Sequence, residues 1–139
     1  MEYKRFGRKI VVRLDVGDEI VSSITDICKA EHISSAIVSG IGFTDQMRVR
    51  VYDREADEFH FQTLTGSMEI TSLTGNVLQA DNGLFTHLHV MAADQAMQIR
   101  GGHLVSCIIA ATGEIVIEEL EGIVTRGESD DFRLGLMRF

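Results

Sequence analysis

The amino-acid sequence predicts an α+β fold: a single domain over residues 1–139, built on a largely antiparallel mixed β-sheet with one main amphipathic helix. Three observations carry this expectation. Only residues 18–32 repeat apolar side chains at helical spacing. Most of the remaining chain breaks into short apolar or alternating runs of strand character. Glycines separate those runs, and the 139 residues include no proline and no low-complexity tract, so nothing reads as a linker.

The first expected strand, 9–14, follows the basic segment Lys4-Arg5-Phe6-Gly7-Arg8-Lys9. Gly17 marks the break before the helix, and Asp18 and Glu19 suit the positive end of its dipole. Ile20, Val21, Ile24, Ile27 and Cys28 then form one stripe, and His32 falls at the carbonyl end. Further strands are expected at 35–39, 46–52, 59–64, 67–72, 76–80, 84–92, 103–110, 114–119 and 133–139. In the second of these, Met47, Val49 and Val51 face one way while Arg48 and Arg50 face the other. Glycines at 40, 42, 66, 75, 83, 101, 102 and 113 are read as strand punctuation, with Thr112-Gly113 as a tight hairpin and 92–97 as a second short helix. So many strands under so little helix leave an apolar face or open edges, which predicts self-association.

Hydrophobic and charged contents of 45% and 24% are ordinary for a soluble globular protein. No apolar run approaches the ~20 residues of a membrane span, and no signal peptide is visible, so a cytoplasmic protein is expected. The net charge of −8 argues against a protein whose main work is gripping nucleic acid, because cationic side chains supply nearly all non-specific affinity. The charge is uneven: Lys4, Arg5, Arg8, Lys9 and Arg13 crowd the N-terminus, while Glu114, Glu118, Glu119, Glu121, Glu128, Asp130 and Asp131 crowd the last third. Cys28 and Cys107, each among apolar neighbours, read as free buried thiols.

The nearest thing to a chemical signature is Thr86-His87-Leu88-His89-Val90 with Gly101-Gly102-His103-Leu104. In a strand, His87 and His89 share a face, and if the glycine pair lets the chain return alongside, His103 meets them. Three neutral imidazoles with a fourth position left to water or ligand describe an open zinc site. Arg100, beside the glycines, either faces a bound anion or is solvated. His60, between Phe59 and Phe61, reads as a surface strand residue. Ser106 and Thr86 lie near the histidines in sequence, but no nucleophile elbow is present.

Three groups of phrases in order carry a family resemblance. The first is Gly17-Asp18-Glu19-Ile20 with Ser39-Gly40-Ile41-Gly42, and the second is Gly66-Ser67-Met68-Glu69-Ile70-Thr71-Ser72-Leu73-Thr74-Gly75-Asn76. The third is the histidine pair of phrases above, followed by Thr112-Gly113-Glu114-Ile115. The chain resembles the plants-and-prokaryotes-conserved (PPC) domain, in its stand-alone prokaryotic form. That resemblance implies a homotrimer, a central antiparallel sheet, and a histidine cluster that holds zinc in some prokaryotic members. Carried over, the candidate ligands are His87, His89 and His103. Glu69, at the family's acidic position, is a possible fourth ligand or a carboxylate that orients a ligating histidine; a cross-strand partner for an arginine is its plainer reading. The fold is similar to that of acetolactate decarboxylase, whose zinc is held by three histidines. There is no AT-hook: Gly7-Arg8-Lys9 lacks the proline of that motif. The implied function is a regulatory or DNA-associated module with a zinc pocket for a small-molecule ligand, DNA itself being disfavoured by charge. The alternative is a zinc-dependent enzyme of decarboxylase or lyase type acting on a small polar metabolite.

Overall fold

Helix α1 (Ile20–Ala30) forms on the expected stripe, burying Ile20, Ser23, Ile24, Ile27 and Cys28 on one side. The Glu19 carboxylate caps it, accepting hydrogen bonds from the backbone N–H groups of Val21 and Ser22 at 3.1 and 2.7 Å. The same carboxylate accepts from the Cys107 N–H at 3.0 Å, tying the helix start to the sheet. His32 closes the other end in the left-handed region at φ 56°. The computed structural model describes residues 1–128 and 135–139.

Its strands are β1 (Glu2–Phe6), β2 (Lys9–Leu14), β3 (Ser35–Asp53), β4 (Glu58–Ala80), β5 (Gly83–Asp94), β6 (Ile99–Glu119), β7 (Thr125–Gly127) and β8 (Leu136–Arg138). They form one mixed sheet of eight strands in the order β1-β2-β6-β3-β4-β7-β8, with β5 bridging β4 and β6. Among the described residues only the short β4–β7 ladder is parallel. The antiparallel pairings β3–β4, β4–β5, β5–β6 and β6–β3 close a circuit, so these long strands wrap around a shared interior. Ile10, Leu14, Val38, Met47, Leu88, Ile109 and Ile117 are buried there, and α1 packs against β5 and β6. Cys28 and Cys107 are free and buried, and burial pushes both thiols up to about 11, which keeps them protonated at neutral pH.

The α+β class with one main helix holds, but the expected segmentation does not. The segments expected at 35–39 and 46–52 are one strand, and those at 59–64, 67–72 and 76–80 are another. Glycines 40, 42, 66, 75, 101, 102 and 113 lie inside strands instead of ending them. At several of these positions the missing side chain lets neighbouring backbones approach, and register shifts at Gly40/Gly42 and Thr44/Gln46 absorb the curvature. Thr112-Gly113 is no hairpin: β6 runs straight through it, pairing Gly113 with Leu14 and Gly42.

The short helix expected at 92–97 is also absent. Strand β5 continues to Asp94, whose carboxylate accepts from the N–H groups of Ala96 and Gln98 and so builds a turn. The reversal before β6 therefore occurs at 94–98, not at Gly101-Gly102. The basic N-terminal segment is a hairpin, β1–β2, turning at Gly7 with φ 62°. Of the expected tail strand 133–139, residues 136–138 form β8, while 133 and 134, like Asp130 and Asp131, lie outside the described residues. No helix among the described residues is long and apolar enough to cross a membrane.

Candidate metal centre

Strand β5 alternates sharply over the histidines. Leu88 and Val90 point into the core, which sends half-buried His87 and exposed His89 to the opposite face. Across the β5–β6 ladder His103 is the register partner of His89, and directly opposed residues share a face. All three imidazoles therefore meet. Their ring centres lie 5.2 Å (His87–His89), 4.9 Å (His87–His103) and 5.7 Å (His89–His103) apart. One nitrogen from each falls within 4.8 Å of the others.

This donor set fits a metal ion. A tetrahedral ion about 2.0–2.1 Å from three imidazole nitrogens requires ring centres about 5 Å apart, close to the spacing observed. The protonation state suits it too. Burial, reinforced by the positive charge of Arg126, pushes His87 down to about 4 from an ordinary 6.5. Burial and the charge of Arg50 push His103 down to about 4 in the same way. Both are thus neutral near pH 7, the form that ligates metal.

These shifts predict how the metal-free protein responds to acid. Between the unfolded value of 6.5 and the folded value of about 4, the unfolded chain binds protons that His87 and His103 refuse in the fold. Stability is expected to be level above 6.5 and to fall as pH drops from there towards 4. Urea unfolding midpoints across this window check it, and a His87→Gln/His103→Gln variant should show a shallower decline.

Sequence reasoning missed two residues at the centre. The Arg50 guanidinium donates to His103 Nε2 at 3.2 Å, and Arg126 donates to His87 Nδ1 at 3.0 Å. Arg50 comes from β3, where it is the register partner of His103. Its outward place in the alternating run was legible, but its neighbour was not. Arg126 sits on β7 and is held by a hydrogen bond to the Gly135 carbonyl at 2.7 Å. Each guanidinium stacks on a ring, Arg50 on Phe59 at 4.3 Å and Arg126 on Phe85 at 5.3 Å. Together with Tyr52 these groups line a cavity of about 760 Å³ beside the histidines, a size suited to a small molecule.

The other expected site residues stand apart. Exposed Glu69 pairs in register with Ala93, four residues along β5 from His89, or roughly 13 Å at strand rise. Arg100 pairs with Ala92 and approaches Asp94 at 3.9 Å. Neither lines the cavity. His60 is exposed on β4, 3.5 Å from Glu58 and 3.6 Å from Asp53.

A closed, mostly antiparallel sheet that gathers three histidines on its outer face defines an α+β domain with a candidate metal site. The chain belongs to the Plants and Prokaryotes Conserved (PCC) domain family, whose model matches residues 1–121. It is similar to a candidate DNA-binding protein of Bacteroides thetaiotaomicron, at 29% identity and TM-score 0.95 over 99% of this chain and 96% of that one. A metal-containing protein of Archaeoglobus fulgidus shares 29% identity at TM-score 0.88, covering 99% of this chain and 97% of that one. A Pyrococcus horikoshii plant- and prokaryote-conserved protein shares 30% identity at TM-score 0.84, over 97% and 94%. The acetolactate decarboxylase of Bacillus subtilis shares the fold alone, at 14% identity and TM-score 0.58 over 88% of this chain and 57% of that one. Among curated proteins, the bifunctional protein GlmU of a Synechococcus strain is 29% identical over 110 residues, which span 78% of this chain but only 16% of that protein.

Proposed function

We propose that this protein is a zinc-holding, ligand-binding module of the cytoplasm, assembled as a homotrimer, with His87, His89 and His103 as the metal ligands. The observation that carries the reading is the convergence of three imidazoles from two neighbouring strands. Imidazole donors with a fourth position left open suit zinc, and similarity to the Archaeoglobus metal-containing protein supports a metal. When bound, zinc would act there as a Lewis acid on an oxygen of the ligand. The chain's own contribution is to hold His87 and His103 neutral and to wall the site with Tyr52, Phe59 and Phe85.

The trimer is supported by apolar side chains left on the outer sheet face. Val11 is 48% exposed on β2, and Ile37 and Ile41 are 44% and 55% exposed on nearby β3. Sedimentation equilibrium is expected to give three copies.

Metal analysis of protein purified without a histidine tag tests the site. Stoichiometric zinc that His87→Ala removes is the expected result; substoichiometric metal unaffected by that substitution overturns it. The cavity beside the histidines also favours a second reading, a zinc-dependent enzyme of decarboxylase or lyase type. That reading gains nothing from Glu69, which stands far along the sheet, although Asp81 and Glu128 line the cavity. DNA binding has still less support. Arg5 pairs with Glu31 and Glu119, Arg8 with Glu121, Lys9 with Glu118, and Arg13 with Glu2 and Asp15, leaving the basic segment largely compensated. Duplex binding that survives at about 50 mM salt and then weakens steeply with added salt would restore it.

A further inference from the structure

We infer that the ligand of this cavity is a small carboxylate with an apolar body, bound together with the metal and gripped by Arg50 and Arg126. The inference rests on the metal reading above and adds the chemistry of what joins the ion.

A neutral imidazole has one N–H and one free lone pair, and a guanidinium can only donate. The hydrogen bonds from Arg50 to His103 Nε2 and from Arg126 to His87 Nδ1 therefore occupy the lone pairs a metal needs. Shifting the ring proton frees the other nitrogen but turns N–H against N–H. Metal and arginine thus compete, and loading the site releases both guanidiniums from the histidines.

Once released, they stand as two positive charges beside the ion. The imidazoles supply no negative charge, and among the described residues no carboxylate pairs with Arg50 or Arg126. Exposed Asp81 and Glu128 line the cavity without bonding either guanidinium. A divalent ion beside two fixed cations in a largely apolar cavity is repelled unless an anion arrives with it. The orphaned polar atoms point the same way. Three buried side-chain atoms among the described residues have no hydrogen-bond partner: Arg50 Nε, Arg126 Nε and Asn76 Oδ1. The two Nε atoms belong to the arginines touching the histidines, and Asn76 is the register partner of His87. Buried N–H groups without partners are rare in folded proteins and mark a place built for something else.

The shape of the donors selects the anion. A guanidinium offers its Nε and one Nη as a planar fork that matches a carboxylate. Stacking on Phe59 and Phe85 keeps both guanidiniums beside the cavity. Those rings and Tyr52 give an organic body something to pack against, which a bare inorganic anion cannot use.

Two bound species that need each other must show reciprocal coupling. The test uses full-length protein with cobalt(II) as a spectroscopic stand-in for zinc and benzoate as the probe. Benzamide serves as the neutral match and inorganic phosphate as the anion without an apolar body. Benzoate is expected to tighten cobalt binding by about 10-fold or more, within the range usual for coupled sites, and to shift the visible cobalt bands. Benzamide and phosphate should do much less. The Arg50→Gln/Arg126→Gln variant should hold cobalt at least as tightly as wild type without benzoate, since two competing cations are gone. It should also lose the coupling. A purely structural role for the arginines would instead weaken cobalt binding in that variant.

Coupling that persists in the variant, is absent from wild type, or is matched by benzamide or phosphate overturns the inference. If wild type takes no cobalt, the metal reading fails separately. Calorimetry on metal-free protein then decides the arginine role: benzoate binding abolished by the double substitution supports it, and no binding removes it.

Discussion

Replacing His89 by alanine is expected to weaken zinc binding by more than about 100-fold while leaving the fold intact. Loss of a residue that merely orients a ligand already costs about 10–100-fold in affinity, so loss of a ligand itself must exceed that range. The substitution is structurally mild because β5 packs through Leu88 and Val90, both buried, whereas His89 is exposed on the other face. Surface changes of this kind alter stability by about 0.5 kcal/mol or less. Competition against a chromophoric chelator reads the affinity, and a thermal melt of the metal-free protein reads the fold. Glu69→Ala provides the contrast: its distance along the sheet predicts unchanged zinc affinity. Wild-type affinity in His89→Ala would show that the three rings do not share an ion.

What the sequence made legible follows from two periodicities. The stripe from Ile20 to Cys28 located α1, because a 3.6-residue repeat bounded by Gly17 has few other readings. Spacing of two placed His87 and His89 on one face, which period-2 alternation requires. Strand register, by contrast, is a tertiary property. Nothing local says that His103 stands opposite both His89 and Arg50, or that β7 carries Arg126 to His87. The expectation of convergence held although its proposed cause did not, since the chain reverses at 94–98. Glycine misled most. It ends strands by allowing turns, as at Gly7, but it also continues strands where two backbones come too close for a side chain. Sequence alone does not separate these uses, which is why three long strands look like many short ones in it.

That second use of glycine yields the largest expected effect on stability. A methyl group built on Gly75 of β4 collides with the carbonyl of His87 and reaches 2.9 Å from Leu88 Cα. One built on Gly101 of β6 collides with the carbonyl of Val90 and reaches 3.0 Å from Met91 Cα. Strand β5 is therefore clamped between two glycines, one on each side, within the segment that carries the histidine pair. The atoms in the way are backbone, so no rotamer change relieves the clash; the strands themselves must move apart. Ordinary overpacking costs about 1–3 kcal/mol, and forced separation of the backbone ladders flanking β5 places Gly75→Ala and Gly101→Ala above it, on the order of 4 kcal/mol. Gly7→Ala is the control, because its added methyl meets open space and only the left-handed φ of 62° is strained, a cost of about 1–2 kcal/mol. Chemical denaturation of the metal-free variants ranks them. If Gly75→Ala still folds, the displaced β5 carries His87 away from His103, so its zinc affinity should fall together with its stability, whereas Gly7→Ala loses stability alone. Equal losses at positions 7 and 75 would mean that backbone conformation, not the clamp on β5, sets the cost.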